Sequence, residues 1–327
     1  MAANGLGKAQ AKKYSVTSLF AGCGGFDLGV RGDFDSLGKH YSELPFNLVW
    51  SNDFNAKACL TYAHNLGSHI KHGDIREILK DPSKYQFPIE SDVVVGGFPC
   101  QAFSLAGKRL GFADPRGQLY LSMKETVRRL QPKVFIAENV RGLLNHDGGK
   151  TFEKICAEFA KLNYHITWKV YKAVEYEVPQ TRERVLVVGT RKDILPPFSH
   201  PGPAIYKPIT VKEAIDDLAL QNWAAVSNHE WAKCKKNKGQ GNRVINPNAP
   251  APTMRAEHHG NIEFHYSANR RLSAREAARI QTFPDNFLFK ECTGDAYRQI
   301  GNAVPPVLAW HLSKEIARFL DAYGMRV

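Results

Sequence analysis

Short apolar segments alternate with segments of helical periodicity through the first 190 residues, and this alternation most constrains the fold. The strand-like segments are 14–20, 46–52, 69–75, 91–97, 133–139, 165–171 and 184–190, and helical patterns lie at 54–66, 118–130 and 151–162. The pattern predicts an α/β fold with a mostly parallel sheet that carries helices on both faces. Ligands of such sheets bind at the carboxyl ends of the strands.

The chain becomes irregular and rich in proline after residue 191, and a basic run, "KCKKNKGQGNR", follows within 221–265. Regular patterns return near residue 272. We therefore predict one large domain made of residues 1–190 and 272–327, with residues 191–271 forming a smaller inserted domain.

Helix boundaries are indicated by local signals. Asp53 or Asn55 caps the first predicted helix, and Ser273 caps a helix over 273–283. A last helix over 305–323 is amphipathic and has proline at its start.

The formal net charge is +12, from 44 Lys and Arg against 32 Asp and Glu. This excess favours a polyanionic partner, nucleic acid first, although a basic protein without such a partner has the same composition. No apolar run approaches the length of a membrane span, and the basic start "MAANGLGKAQAKKYS" has no apolar core of a secretory signal. We expect a cytoplasmic protein that does not enter a membrane.

The six cysteines contain no C-x-x-C pair, so we expect reduced thiols and no zinc site. Cys100 stands apart from the others. It follows Pro99 in "GGFPCQAFS", just past the end of the buried strand "SDVVVGG".

A glycine-rich turn follows the first strand in "SLFAGCGGFDLG", where Gly22, Gly24 and Gly25 allow close approach of a ligand to the backbone. A plain tight turn has the same signature. The spacing is not G-x-G-x-x-G, which disfavours a dinucleotide.

Acidic and aromatic residues stand at successive strand ends. Asp53 can accept both hydroxyls of a ribose, and Asp74 can accept from the exocyclic amine of an adenine. Phe20 and Phe54 can enclose a purine ring. Each acidic residue alone is more typical of a helix cap or turn, but together they indicate an adenosine-type site beside Cys100.

The chain resembles the DNA cytosine-5 methyltransferases of bacterial restriction–modification systems. The matching segments occur in family order: "LFAGCGG" (19–25), "GGFPCQAFS" (96–104), "ENV" (138–140), "QTRERVLVVG" (180–189), "RRLSAREAARIQTFP" (270–284) and "GNAVPP" (301–306). Ser18 stands where the family often has aspartate, and Thr253 precedes Met254 where the family usually has a Thr–Leu pair.

The resemblance implies a class I S-adenosylmethionine-dependent methyltransferase fold: a Rossmann-like, mixed and mostly parallel sheet with a small inserted target-recognition domain. S-adenosylmethionine is then the cofactor and double-stranded DNA the partner. We expect a monomer associated with the bacterial nucleoid, paired in function with a restriction endonuclease.

The resemblance also assigns the catalytic residues. The thiolate of Cys100 adds to C6 of cytosine, which makes C5 nucleophilic toward the methyl donor. Glu138 hydrogen-bonds N3, and Arg184 binds O2 and holds Glu138. Arg182 is expected beside the same pocket and the DNA backbone, and Asn139 braces the loop of the nucleophile.

The resemblance completes the cofactor site. Leu119 is expected over the adenine edge, Asn302 and Val304 near the methionine end, and Pro99 at the boundary with the nucleophile. The full predicted set is Phe20, Gly22, Gly24, Gly25, Asp53, Phe54, Asp74, Ile75, Pro99, Leu119, Asn302 and Val304.

The target cytosine must leave the duplex, because C6 is not open to a thiol inside the stack. Gln101 and Ser104 follow the nucleophile and are candidate DNA contacts. Glycines and the cations Lys108 and Arg109 make 101–117 a candidate closing loop over phosphate, although a solvated basic loop has the same composition.

Sequence reading is expected from the inserted domain. Its candidate DNA-binding residues are Arg243, Thr253, Arg255 and His258, of which the arginines and the histidine can donate to guanine edges. The run "KCKKNK" is more suited to phosphate. His258 and His259 have no third ligand at suitable spacing, so we expect no metal.

The sequence leaves three alternative functions to be compared with this prediction. A transfer-RNA cytosine-5 methyltransferase shares the catalytic motifs, but its usual Cys–Phe–Thr signature is not found here. A catalytically silent DNA-binding homologue would not need Cys100, Glu138, Arg182 and Arg184 together. A nicotinamide oxidoreductase is suggested only by the glycine turn, and it leaves Pro99, Cys100 and the basic insert unexplained.

Overall fold

The structure is a computed structural model that describes residues 13–98, 119–220, 225–233, 243–256 and 263–323. Its strands are β1 (Tyr14–Leu19), β2 (Phe34–Ser36), β3 (Lys39–Tyr41), β4 (Phe46–Asp53), β5 (Ile70–His72), β6 (Val93–Gly97), β7 (Val134–Val140), β8 (Tyr164–Lys172) and β9 (Glu183–Arg191). All the strands expected from the sequence are confirmed, and β2 and β3 form an additional antiparallel hairpin.

The described residues form one seven-stranded sheet in the order β5-β4-β1-β6-β7-β9-β8. Strands β5, β4, β1, β6 and β7 run parallel to one another. Strand β9 runs antiparallel to both β7 and β8. The sheet is therefore mixed and mostly parallel, as expected, and five carboxyl ends meet along one edge.

The helices of the described residues are α1 (Gly25–Arg31), α2 (Ala56–Leu66), α3 (Ile75–Lys80), α4 (Leu119–Leu130), α5 (Lys150–Ala160), α6 (Val211–Ile215), α7 (Ala274–Ile280), α8 (Thr293–Asn302) and α9 (Pro306–Tyr323). Asn55, and not Asp53, caps α2: its side chain accepts from the N–H groups of Lys57 and Ala58. Ser273 caps α7, and Glu276 completes a capping box.

Helices cover both faces of the sheet, and each face has its own apolar cluster. One cluster joins α1, α7, α8 and α9 to β1, β6 and β7, and the other joins α3, α4 and α5 to the opposite face. Residues between β9 and α7, among them Phe198, Val211 and Met254, pack into the first cluster. Within the described part of the chain, no helix is both long and apolar enough to cross a bilayer.

Helices α1 and α9 approach closely at Gly29. A Cβ atom there would lie 2.4 Å from the carbonyl oxygen of Pro306 and 2.5 Å from the Cβ of Ala309. Only hydrogen fits between the two backbones. The last helix is therefore held directly against the helix that follows the glycine turn.

We predict that Gly29→Ala lowers the free energy of unfolding by about 1–3 kcal/mol, because the methyl group overpacks this contact. Helix propensity alone would favour alanine by about 1 kcal/mol, so a loss identifies the steric cause. Urea denaturation measures the difference. Gly202→Ala is the matched control, since a Cβ there meets nothing within 4 Å. Equal stability of the two variants would contradict the close contact.

Candidate active site

The carboxyl ends of the parallel strands open into a cavity of about 480 Å³. This volume lies in the range of small-molecule sites. The predicted residues that line the cavity are Phe20, Gly22, Gly25, Asp53, Phe54, Asp74, Ile75, Leu119, Glu138, Arg184, Asn302 and Val304. The structure thus brings the expected adenosine residues and two of the expected catalytic residues into one space.

Asp53 holds the glycine turn. Its Oδ2 accepts from the backbone N–H of Gly22 at 2.8 Å, and its Oδ1 accepts from the N–H of Asn55 at 2.8 Å. The carboxylate is 8% exposed, and burial raises the pKa of Asp53 against the opposing effect of these N–H groups. Each oxygen keeps a second lone pair, so Asp53 can still accept hydroxyl groups from a ligand.

Aromatic and apolar side chains surround the space beyond Asp53. Phe54 is 72% exposed and Ile75 is buried, and both line the cavity. Asp74 caps α3 and pairs with Arg76 at 2.5 Å, and the hydrogen bond from Arg76 lowers the pKa of Asp74. Asp74 is therefore an ionised acceptor at the cavity edge.

Gly24 does not take the place that we expected. It is the N-cap of α1 with φ of 95°, and a Cβ atom there would lie 2.2 Å from Leu66 Cδ1 and 2.9 Å from Tyr62 Cδ2. Gly24 thus faces α2 and not the cavity. It is required for the turn and for packing, and it is not among the residues that line the cavity.

Sequence reasoning missed Asp27, a fully buried carboxylate in the first turn of α1. It accepts from the hydroxyls of Ser18 at 2.6 Å, Ser51 at 3.1 Å and Tyr62 at 2.7 Å. Burial raises the pKa of Asp27, and the three hydroxyls oppose this effect. Two features of the sequence could have indicated this residue. Asp27 lies on the buried face of the helix after the glycine turn, and Ser18, where the family often has aspartate, leaves room for a carboxylate from another position.

Glu138 and Arg184 form the other end of the cavity. Arg184 Nε lies 2.8 Å from Glu138 Oε1, and the two side chains are only 12% and 13% exposed. A Cβ atom on Gly97 would lie 2.8 Å from Glu138 Oε2, so the glycine leaves room for the carboxylate. Asn139 Nδ2 donates to the carbonyl oxygen of Phe98 at 3.0 Å, which fixes the end of β6 as expected.

Arg182 is not at the cavity surface. It is 1% exposed, and its Nη1 donates to the carbonyl oxygens of Met254 and Gly301 at 3.1 Å each. We expected it beside the pocket and the DNA backbone. Its side chain instead joins the segment at Met254 to the end of α8.

Helix α8 lines the cavity together with the glycine turn. A Cβ atom on Gly25 would lie 2.6 Å from the carbonyl oxygen of Val304, so the turn and the segment after α8 touch. At the rim, Asp295 binds Lys57 at 2.6 Å and Arg298 at 3.0 Å. The hydrogen bond from Lys57 lowers the pKa of Asp295.

The remaining predicted residues divide into two groups. Pro99, Cys100, Gln101, Ser104, Lys108, Arg109 and His258 lie outside the described residues. Arg243 and Arg255 are exposed, and Thr253 Oγ1 donates to the carbonyl oxygen of Thr181 at 3.2 Å. A Cβ atom on Gly301 would lie 2.5 Å from the carbonyl carbon of Arg255, so this segment borders the cavity lining.

Three of the other thiols, Cys23, Cys59 and Cys156, are poorer nucleophiles than a free cysteine. Burial raises the pKa of Cys23, which lines the cavity, and of Cys59 to about 12, and that of Cys156 to about 11. The described residues contain no cluster of His, Cys, Asp and Glu that could hold a metal ion.

We predict that Arg184→Leu lowers the free energy of unfolding by about 3 kcal/mol, because it leaves the carboxylate of Glu138 largely buried without its partner. The double variant Glu138→Gln with Arg184→Leu removes the unpaired charge and should recover most of the loss. Urea denaturation of the three proteins measures both effects. Equal losses in the single and double variants would show that the pair is well solvated.

Comparison with known proteins shows similarity to one protein family. The model of C-5 cytosine-specific DNA methylases matches residues 14–248 and 221–318. The type II methyltransferase M.NgoFVII of Neisseria gonorrhoeae is 36% identical over 96% of this chain and 89% of its own length. M.Eco47II, a type II methyltransferase of Escherichia coli, is 33% identical over 96% and 81%.

Among solved structures, the methyltransferase EhMeth of Entamoeba histolytica superposes with a TM-score of 0.69 at 17% identity. The match covers 95% of this chain and 99% of EhMeth. It establishes a common fold.

Proposed function

Because the chain belongs to the family of C-5 cytosine-specific DNA methylases, we propose that it methylates cytosine through a covalent bond from Cys100 to C6 of the ring. The protein is a DNA cytosine-5 methyltransferase that uses S-adenosylmethionine. The observation that carries the proposed mechanism is the Glu138–Arg184 pair beside the end of β6. Cys100 follows Phe98 by two residues in the sequence, directly after the strand that pairs with β7 at Glu138.

The cavity fits the cofactor. Asp53 would accept the ribose hydroxyls, and Phe20, Phe54, Ile75 and Leu119 would enclose the adenine. Gly22 has open space where a Cβ would stand, which suits close approach of a ligand. When bound, S-adenosylmethionine supplies an electrophilic methyl group. The residues Asn302 and Val304 would lie near its methionine end.

Cys100 makes C5 reactive. Its thiolate forms a bond to C6, and the electron pair of the C5–C6 double bond moves toward C5 and N3. C5 would then take the methyl group that S-adenosylmethionine supplies, and the electron pair of the broken S–CH3 bond would leave with S-adenosylhomocysteine. Loss of the C5 proton to a base and breaking of the C6–S bond would restore the double bond and the thiolate of Cys100.

Glu138 and Arg184 act on the other side of the ring. Glu138 would hold a proton at N3, where charge gathers as the thiolate adds. Arg184 Nε is fixed on Glu138 Oε1 at 2.8 Å, so it orients the carboxyl group. Arg184 Nη1 donates to the carbonyl oxygen of Glu183 at 2.8 Å, so Nη2 would be the group that faces O2. The pair is largely buried, which strengthens its hydrogen bonds.

DNA must present the cytosine outside the duplex, at a cost of about a few kcal/mol. We assign Gln101, Ser104, Lys108 and Arg109 to this step as contacts of the opened strand. Arg182 is a positioning residue, because it holds Met254 and Gly301 together.

We predict that Cys100→Ser abolishes methylation. Plasmid DNA from cells that express the unaltered chain should carry methylcytosine at one recurring sequence in bisulfite sequencing, and the variant should leave none. Binding of S-adenosylmethionine should stay within about twofold, since the thiol is not among its proposed contacts. Cys156→Ser, on α5, is the matched control and should methylate normally. Turnover by Cys100→Ser would refute the covalent route.

Duplex DNA with 5-fluorocytosine at the identified site gives a direct readout. The thiolate adds and the methyl group transfers, but fluorine cannot leave as a cation, so the C6–S bond persists. We expect a denaturation-resistant complex with Cys100 and none with Cys100→Ser. An active enzyme that forms no such complex would contradict the mechanism.

Residues 191–271 are proposed as the target-recognition domain. The strands of the sheet end at Arg191 and α7 begins at Ala274, so the described residues of this segment add no strand to the seven-stranded sheet. Arg243, Thr253, Arg255 and His258 lie within it as candidate base contacts. Sequence reading would thus be separable from chemistry.

We predict that replacing residues 191–271 by the corresponding segment of M.NgoFVII changes the methylated sequence to that of the donor. Bisulfite sequencing of plasmid DNA reports the site for both proteins. The reciprocal chimera is the control, and it should acquire the sequence of the present chain. Unchanged preference in both chimeras would place the reader elsewhere.

We further propose a role in restriction–modification, because M.NgoFVII and M.Eco47II are type II methyltransferases. In this role the protein marks host DNA against a partner endonuclease and acts as a monomer. Protection of the identified site against cleavage in extracts of the source strain tests the pairing.

A further inference from the structure

Gln299, a residue of the cavity lining, carries a buried side-chain oxygen without a hydrogen-bond partner. The residue lies on α8 with 7% of its surface exposed, and it lines the cavity. Several buried side-chain atoms in the described residues have no hydrogen-bond partner there, and among them Gln299 Oε1 alone belongs to a residue of the cavity lining. A buried amide oxygen left without a donor is costly, so a ligand with a donor is expected to complete it.

The orientation of the amide follows from its other contact. Gln299 Nε2 donates to the backbone carbonyl oxygen of Lys57 at 3.4 Å. A carbonyl oxygen only accepts, so the nitrogen must face Lys57 and the oxygen must face away. The free position is therefore an acceptor.

Gln299 lies between the glycine turn and the start of α2. Its own carbonyl oxygen is 3.8 Å from Cys23 Sγ, and its amide contacts Lys57. Gly22, next to Cys23, donates to Asp53. The acceptor thus belongs to a residue that contacts both the glycine turn and the start of α2.

Charges at the same rim suit a zwitterion. Lys57 and Arg298 both bind Asp295, and about half of each cationic side chain stays exposed. An amino-acid group here would find cations for its carboxylate. Gln299 Oε1 would offer an uncharged acceptor for its ammonium group.

We propose that Gln299 Oε1 accepts a hydrogen bond from the α-ammonium group of the amino-acid end of S-adenosylmethionine. This contact rests on the proposed position of the cofactor in the cavity. It makes Gln299 a residue that distinguishes the intact cofactor from nucleosides without an amino acid.

The test is calorimetric binding without DNA. The ligands are S-adenosylhomocysteine, which has the amino-acid end, and 5′-methylthioadenosine, which has only the nucleoside. Gln299→Leu should weaken binding of S-adenosylhomocysteine about tenfold or more, as expected for loss of a hydrogen bond to a charged group. Binding of 5′-methylthioadenosine should change by less than about twofold.

Equal weakening of both ligands by Gln299→Leu would overturn the proposal, because it would place Gln299 at the ribose. Unchanged binding of both would overturn it as well. Gln299→Glu retains an acceptor and should bind S-adenosylhomocysteine at least as well as the unaltered chain, and it serves if the leucine variant does not fold. A preference of Gln299→Glu for the nucleoside would also refute the contact.

The deaminated analogue of S-adenosylhomocysteine isolates the ammonium group. It should bind the unaltered chain and Gln299→Leu equally, within about twofold. If the unaltered chain binds neither S-adenosylhomocysteine nor the nucleoside, the position of the cofactor itself fails, and that result is distinct from failure at Gln299 alone.

Discussion

Close packing of α1 against α9 is the constraint on which the site depends. Gly29 lets the backbones touch, and Gly25 lets the turn meet Val304 in the same way. These contacts bring residues near the end of the chain over the turn that follows the first strand. The cavity is built from both ends of the sequence, so neither end alone can form it.

Buried carboxylates stabilise the same region in two different ways. The oxygens of Asp27 accept hydrogen bonds from Ser18, Ser51 and Tyr62, and these bonds connect α1 to β1, β4 and α2. Asp53 uses backbone N–H groups and keeps accepting capacity toward the cavity. Burial of a carboxylate is tolerated only when hydrogen bonds replace water. One residue therefore organises the framework and the other is available to a ligand.

The sequence was sufficient for the strands of the sheet, because their apolar runs and flanking turns are local signals. It was not sufficient for α8, whose segment "TGDAYRQIGN" has two glycines and starts at Cys292 without a side-chain cap. The sequence therefore did not predict that Gln299 lines the cavity. Gly24 and Arg182 were assigned to the site by their motifs, but motif membership does not tell which way a residue faces. Their contacts with α2, Met254 and Gly301 are set by tertiary packing.

Cys23 shows how one cavity can hold a methyl donor and a second thiol. A thiolate close to a sulfonium methyl group would be methylated itself, because the thiolate is the nucleophilic form. Burial raises the pKa of Cys23 to about 12, so only about one molecule in 10⁵ carries the thiolate near pH 7. Cys23 also directs its sulfur to the carbonyl oxygen of Gln299. Desolvation thereby keeps this thiol protonated, and the nucleophile that we propose, Cys100, comes after β6 in the sequence, past the strand end that Asn139 holds.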